Sequence, residues 1–157
     1  MSLIRLPYPL PGKVFRSEMP FSAYDPAGEI LDAYLESGVT SVFLLASDEE
    51  CLRKTRRDLR KVYLSKGLKV IYLPIEDFDT PERSKLEVAL QDVTTYLEEG
   101  GILAVHCYAG IGRTGLIAAC LAKRTMEISG AEAIDWVRRY IPGAVEQPEQ
   151  ELFVRKF

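Results

Sequence analysis

The feature that most restricts what this chain can fold into is a junction. The apolar run Ile102-Leu103-Ala104-Val105 leads directly into His106-Cys107-Tyr108-Ala109-Gly110-Ile111-Gly112-Arg113-Thr114-Gly115, and that segment leads directly into the helix-like Leu116-Ile117-Ala118-Ala119-Cys120-Leu121-Ala122. A buried strand, a short glycine-bearing loop and a helix start, in that order, belong to a sheet covered by helices. The loop also has the chemistry of an anion site. Backbone N–H groups following Cys107, joined by those that open the helix, can curl into a nest around three oxygens of a phosphate. Gly110 and Gly112 permit the tight or left-handed backbone such a nest needs. Arg113 comes round beside the thiol, where its planar fork can hold two oxygens at once. A helix start and a neighbouring cation favour the thiolate, which is the nucleophilic form, and the Thr114 hydroxyl is placed to hydrogen-bond the sulfur. A plain strand-to-helix turn over a buried cysteine would need a glycine but would have no use for Arg113.

The rest of the chain repeats the same alternation. Residues 13–16 read as a strand, 27–37 as a helix stopped by Gly38, and 39–45 as a buried strand. Residues 48–65 read as one highly charged helix ended by Gly67, and 70–73 as a strand stopped by Pro74. A helix over 81–99 has proline in its first turn and Gly100-Gly101 beyond its end. After the strand 102–105 come helices over 113–127, 131–140 and 148–156. This pattern predicts an α/β fold in which a mainly parallel central sheet of about four to five strands is flanked by helices, with the site outside the carboxyl ends of the strands. The reading is one catalytic domain over residues 1–157.

Composition bounds the partners. A chain of 157 residues, 47% hydrophobic and 27% charged, can bury a sizeable core. A net charge of -3 argues against nucleic acid and against an anionic membrane as partners. Residues 1–9 are broken by prolines and lack the apolar core of a secretory signal, and no stretch approaches the ~18 apolar residues of a membrane span, so a cytoplasmic monomer is expected. Cys51, Cys107 and Cys120 are odd in number and widely spaced, as in a reducing compartment. With a single histidine and no Cys-x-x-Cys pair, neither a metal site nor a cofactor is expected. Asparagine is absent, which together with abundant Glu, Lys and Arg is a compositional trend of heat-adapted proteins.

On the residues His106 to Thr114 the chain resembles the cysteine-dependent protein tyrosine phosphatase superfamily, whose signature is His-Cys-x5-Arg-Ser/Thr, and within it the small dual-specificity branch. The resemblance implies the phosphatase-type fold and a metal-independent hydrolysis of phosphotyrosine in protein or peptide substrates through a cysteinyl-phosphate. Phosphoserine and phosphothreonine would follow if the pocket is shallow. It implies Cys107 as nucleophile, Arg113 with Tyr108, Ala109, Gly110, Ile111 and Gly112 as the phosphate-binding loop, Thr114 as the hydroxyl partner and His106 as a support that orients the loop. No lysine stands within the loop, which counts against a phosphoinositide substrate. RNA 5′-phosphatases share the same loop, and a non-catalytic phosphobinding module is a third reading.

Expelling a serine or tyrosine oxygen needs a proton donor on a loop at the same sheet edge. The segment Pro74-Ile75-Glu76-Asp77-Phe78-Asp79-Thr80-Pro81 is the acidic loop so placed. It resembles the family's mobile general-acid loop, which assigns the acid to Asp77, with Asp79 and then Glu76 as alternatives. Asp79 or Thr80 is also a candidate cap for the helix that follows. In the family a glutamine on a late loop orients the hydrolytic water; the Pro-x-Gln pattern in 142–150 points to Gln150 ahead of Gln147, against a plain position on the exposed face of the last helix. Tyr8, Phe21, Tyr24 and Tyr108 are candidates for the pocket entrance. The basic run 53–61 is read as a solvated helix face, with a docking surface as the alternative. Cys120 is read as packing, and Cys51 as an ordinary helix residue rather than a resolving thiol.

Overall fold

The computed structural model describes residues 3–157, so Met1 and Ser2 of the amino-terminal reading lie outside the described residues. Five strands form one sheet: β1 (Ile4–Leu6), β2 (Lys13–Ser17), β3 (Ser41–Leu44), β4 (Lys69–Tyr72) and β5 (Ile102–His106), in the spatial order β1-β2-β5-β3-β4. The β1–β2 pair is antiparallel and the others are parallel. The helices are α1 (Glu29–Glu36), α2 (Asp48–Thr55), α3 (Leu59–Ser65), α4 (Arg83–Glu98), α5 (Gly112–Met126), α6 (Gly130–Tyr140) and α7 (Pro148–Lys156). None of them is long and apolar enough to cross a membrane.

The strands alternate between two cores, as side chains with a period of two must. Phe43 and Leu45, with Leu103 and Val105, face one side and pack with Leu90 and Leu97 of α4 and Leu116 of α5. Val42, Leu44 and Ala104 face the other and pack with Ile30, Leu31 and Tyr34 of α1, Cys51 of α2, and Leu59 and Tyr63 of α3. Each leucine buried in this way is worth roughly 1.5–3 kcal/mol in transfer from water. A sheet covered on both faces therefore has a rigid centre, and β5 lies at it. In register, Ser17 of β2 and Leu44 of β3 both stand opposite His106 of β5, so the carboxyl ends of three parallel strands finish at one level.

Two expectations need correction, and one strand lies where the sequence reading placed none. The charged segment 48–65 is not one helix: α2 ends at Thr55, Arg56 takes a left-handed φ of 57°, and Asp58 starts α3 by accepting the Lys61 N–H at 3.2 Å. A good N-cap in mid-segment outweighs the helical spacing. The proline-broken amino terminus contains a strand, β1, because pairing with β2 supplies the hydrogen bonds that its own sequence does not suggest. Helix α4 starts two residues after Pro81, with Glu82 at its N-cap and no side-chain cap, so neither Asp79 nor Thr80 caps it.

Candidate active site

Cys107 leaves the end of β5 and is buried. Its sulfur accepts the Gly110 N–H at 3.3 Å and the Thr114 hydroxyl at 3.1 Å, contacts suited to a thiolate. The loop is shaped from behind by Arg16, the penultimate residue of β2. Its Nε donates to the Gly110 carbonyl at 3.0 Å, and its Nη2 donates to the Gly110 and Ala109 carbonyls at 2.7 and 3.1 Å. In a trans peptide the C=O and N–H point opposite ways. Drawing the Ala109 and Gly110 carbonyls toward Arg16 therefore turns the Gly110 and Ile111 N–H groups to the other side, where the first meets Cys107 sulfur. Gly110 has φ 73°, and a Cβ there would collide with Arg16 Nη2 and the Ser17 carbonyl. Only glycine satisfies both demands. Burial pulls the Arg16 guanidinium below its ordinary value, opposed by the negative charge of Glu18 and Cys107.

Arg113 sits in the first turn of α5, with its side chain 1% exposed. Glu50 grips it through two parallel hydrogen bonds, Nη1 to Oε1 at 2.8 Å and Nη2 to Oε2 at 2.9 Å, and Nη1 also donates to the Ile75 carbonyl at 2.9 Å. Asp77 Oδ1 lies 3.3 Å from Nη2. Burial opposes the charge of Arg113, yet the Glu50 hydrogen bonds and the charges of Cys107, Glu50 and Asp77 leave its pKa raised. Its Nε is buried without a hydrogen-bond partner among the described residues. A buried unpaired donor is costly unless a ligand takes it, and a phosphate oxygen has the right charge to do so.

Asp77 is half-exposed, and its Oδ1 also accepts the Phe78 N–H at 3.0 Å. A turn closed by the Asp79 N–H to the Glu76 carbonyl at 3.0 Å holds Phe78 at φ 65°. Asp79 points elsewhere: its carboxylate accepts the Thr80 N–H at 2.8 Å, and its own carbonyl accepts Gln150 Nε2 at 3.1 Å. Gln150 is fully buried, not on an exposed face, and its Oε1 accepts the Gln147 N–H at 3.2 Å. The last helix is thus tied to the acidic loop.

His106 is buried between two hydrogen bonds. Nδ1–H donates to the Cys107 carbonyl at 2.8 Å, which leaves Nε2 to accept the Tyr63 hydroxyl at 2.6 Å. Burial holds its pKa down to about 4, and burial raises that of Tyr63, so both are neutral at pH 7. At the mouth, Tyr24 meets Tyr108 edge-on with ring centroids 5.0 Å apart. Tyr8 does not belong there; it is buried against Trp136 and donates to the Ala118 carbonyl at 2.6 Å. Burial pushes the Cys51 and Cys120 thiols up to about 12, which makes both poor nucleophiles.

Sequence reasoning missed Arg16 and Glu50. Ser47-x-x-Glu50 has the spacing of a capping box, and Ser47 does accept the Glu50 N–H at 3.1 Å. The Glu50 carboxylate, however, turns to Arg113. A carboxylate at that spacing with a buried arginine elsewhere was the available signal.

A thiol, a loop of inward N–H groups, a clamped arginine and a carboxylate across the mouth, at the carboxyl edge of a parallel sheet, define a cysteine-dependent phosphatase of the tyrosine and dual-specificity class. The sequence profile of a family described as polymorphic toxin system, DSP-PTPase phosphatase, matches residues 21–127, and the chain belongs to that family. Rat cyclin-dependent kinase inhibitor 3 is 29% identical over 123 residues, covering 77% of this chain and 58% of that protein. Human dual specificity protein phosphatase CDC14C is 46% identical over 56 residues, covering 36% of this chain but only 12% of that protein. The chain thus matches less than two thirds of either relative's length. The crystal structure of Tk-PTP in the active form superposes with a TM-score of 0.77 at 31% identity, covering 92% of this chain and 90% of that one.

Proposed function

We propose that this phosphatase hydrolyses phosphotyrosine in polypeptides through a cysteinyl-phosphate, with phosphoserine and phosphothreonine as further substrates. Cys107 sulfur attacks phosphorus in line with the leaving oxygen, forming an S–P bond as the P–O bond breaks. Arg113 and the loop N–H groups of residues 108–112 hold the equatorial oxygens, where charge is greatest in the transition state. Asp77 gives its proton to the leaving oxygen. It then takes a proton from water, which attacks phosphorus, breaks the S–P bond and releases inorganic phosphate and the thiolate. Thr114 hydrogen-bonds the sulfur when it leaves, and neutral His106 orients the Cys107 carbonyl rather than acting as a base.

The observation that carries this reading is the orphaned Nε of buried Arg113, beside a sulfur already held by Gly110 and Thr114. Gln150 supports the site by holding the Asp79 carbonyl, a positioning role in place of the water-orienting one expected from the resemblance. Its three buried, unpaired cysteines favour a reducing compartment, the cytoplasm. The decisive test is Cys107→Ser assayed on an aryl phosphate. Turnover should vanish while vanadate binding survives, because a serine hydroxyl is not ionised there; serine turnover above ~1% of the parent would exclude the thiolate mechanism.

A further inference from the structure

The rim of the site carries more positive charge than the hydrolysis uses. The break between α2 and α3 is held in place: Thr55 Oγ1 donates to the Cys51 carbonyl at 2.7 Å and accepts the Arg57 N–H at 3.1 Å, with Arg56 left-handed between them. Of two side chains flanking this break, one reaches the mouth and the other reaches the segment that carries Tyr24. Lys54 Nζ lies 4.2 Å from the ring centroid of Tyr108, the residue after Cys107. The Arg57 guanidinium lies 4.2 Å over the ring of Phe21.

The facing wall is equally constrained. Buried Asp25 accepts the N–H groups of Glu29 at 2.9 Å, Ile30 at 3.1 Å and Phe21 at 3.4 Å, while Phe21 is held at φ 64°. Strained backbone persists where its surroundings over-determine it, and it gathers at binding sites. This wall carries Tyr24, exposed and edge-on to Tyr108.

Lys54 and Arg57, like Arg56 between them, lack among the described residues the carboxylate partners that Arg53 and Arg60 have. Arg53 pairs with Glu49 at 3.9 Å, and Arg60 pairs with Asp48. Among the described residues Lys54 and Arg57 have no carboxylate partner; both are exposed. On the side of the mouth that Lys54 and Arg57 face, the acidic groups are engaged, Asp77 with Arg113 and Glu18 with Arg16, while the Glu146 carboxylate stands beside Gly112 of the loop. The rim therefore offers two uncompensated cations on an aromatic floor, next to the position a phosphorylated side chain must enter.

We infer that Lys54 and Arg57 form a substrate subsite that receives Asp or Glu side chains flanking the phosphorylated residue of a polypeptide. This rests on the reading of the site as a phosphatase acting on polypeptides. An extended peptide advances about 3.3–3.6 Å per residue, so acidic residues within two or three positions of the phosphorylated one reach this rim. Each exposed pair contributes about two- to fivefold in affinity, and the contribution falls with salt because the contacts are open to solvent.

The test compares two phosphotyrosine peptides of equal length, one with Asp and Glu on both sides of the phosphotyrosine and one with Asn and Gln instead. The wild-type kcat/KM ratio should be about tenfold in favour of the acidic peptide at low salt and should shrink toward one at 1 M salt. In Lys54→Met/Arg57→Met the ratio should fall to about one, and the loss should lie in KM. Arg139→Met, which removes an exposed cation on α6, is the control for net charge. A wild-type ratio near one, a ratio retained in the double variant, or an equal loss in Arg139→Met would overturn the subsite. Turnover of an aryl phosphate but of neither peptide would overturn the polypeptide reading and the subsite with it, whereas failure on the aryl phosphate as well would overturn the phosphatase chemistry itself.

Discussion

Glu50 and Arg113 lie 63 residues apart in the chain and meet through two parallel hydrogen bonds, with side chains 9% and 1% exposed. The pair does two things. It fixes the plane of the guanidinium, and it keeps a buried cation compensated in the absence of substrate. It also ties the start of α2 to the start of α5, so the arginine's direction is set from outside its own loop.

Breaking this pair from one side leaves a buried charge without its partner, which typically costs about 3–5 kcal/mol. Glu50→Ala should therefore lower the urea midpoint and reduce kcat/KM on an aryl phosphate by about 10²-fold. Glu50→Gln, which retains one acceptor, should fall between it and the parent on both measures. Unchanged activity in Glu50→Ala would mean that the loop alone orients Arg113.

Asp77 reaches Arg113, whereas the Asp79 carboxylate caps its own following N–H, so the two should separate by leaving group. Asp77→Asn should slow phosphotyrosine far more than an activated aryl phosphate and should lose the alkaline limb of the kcat/KM profile, because a good leaving group departs without a proton. Asp79→Asn should leave the rate profile intact. The reverse pattern in a Brønsted series of aryl phosphates would move the acid to Asp79.

Gln150 can be assigned by which rate constant it changes. A residue that holds the Asp79 carbonyl acts on the acid-bearing loop and hence on phosphoenzyme formation, which kcat/KM reports; a residue that orients water acts only after it. Gln150→Met should reduce kcat/KM for phosphotyrosine by about tenfold with no burst of product. A stopped-flow burst with kcat/KM preserved would restore the water-orienting role.

His106 makes stability depend on pH. Its folded pKa of about 4 lies below the ordinary 6.5, so between these values the unfolded chain binds a proton that the folded chain refuses. Stability from this residue is complete above about pH 6.5 and is lost as the pH falls toward 4. Between pH 7.5 and pH 5 the loss should be about 2 kcal/mol by urea unfolding, and it should be absent in His106→Gln.

The chain's own sequence determined the features whose constraints are local. The strand 102–105, the glycines of the loop and the helix after it are adjacent in sequence, and the six-residue step from Cys107 to Arg113 keeps the two on one loop. For the same reason helix α7 spans Pro148–Lys156, the bounds read from its sequence, with Pro148 at its first position. The tertiary structure alone decided what crosses between elements. Arg16 meets Gly110 across 94 residues and Gln150 meets Asp79 across 71, because parallel strands ending at one level bring their loops together, a register no local pattern encodes. The division of 48–65 into two helices belongs to the same class: spacing there permitted a continuous helix, and the hydrogen bonds of Thr55 and Asp58, with Leu59 and Tyr63 buried against the sheet, selected the break.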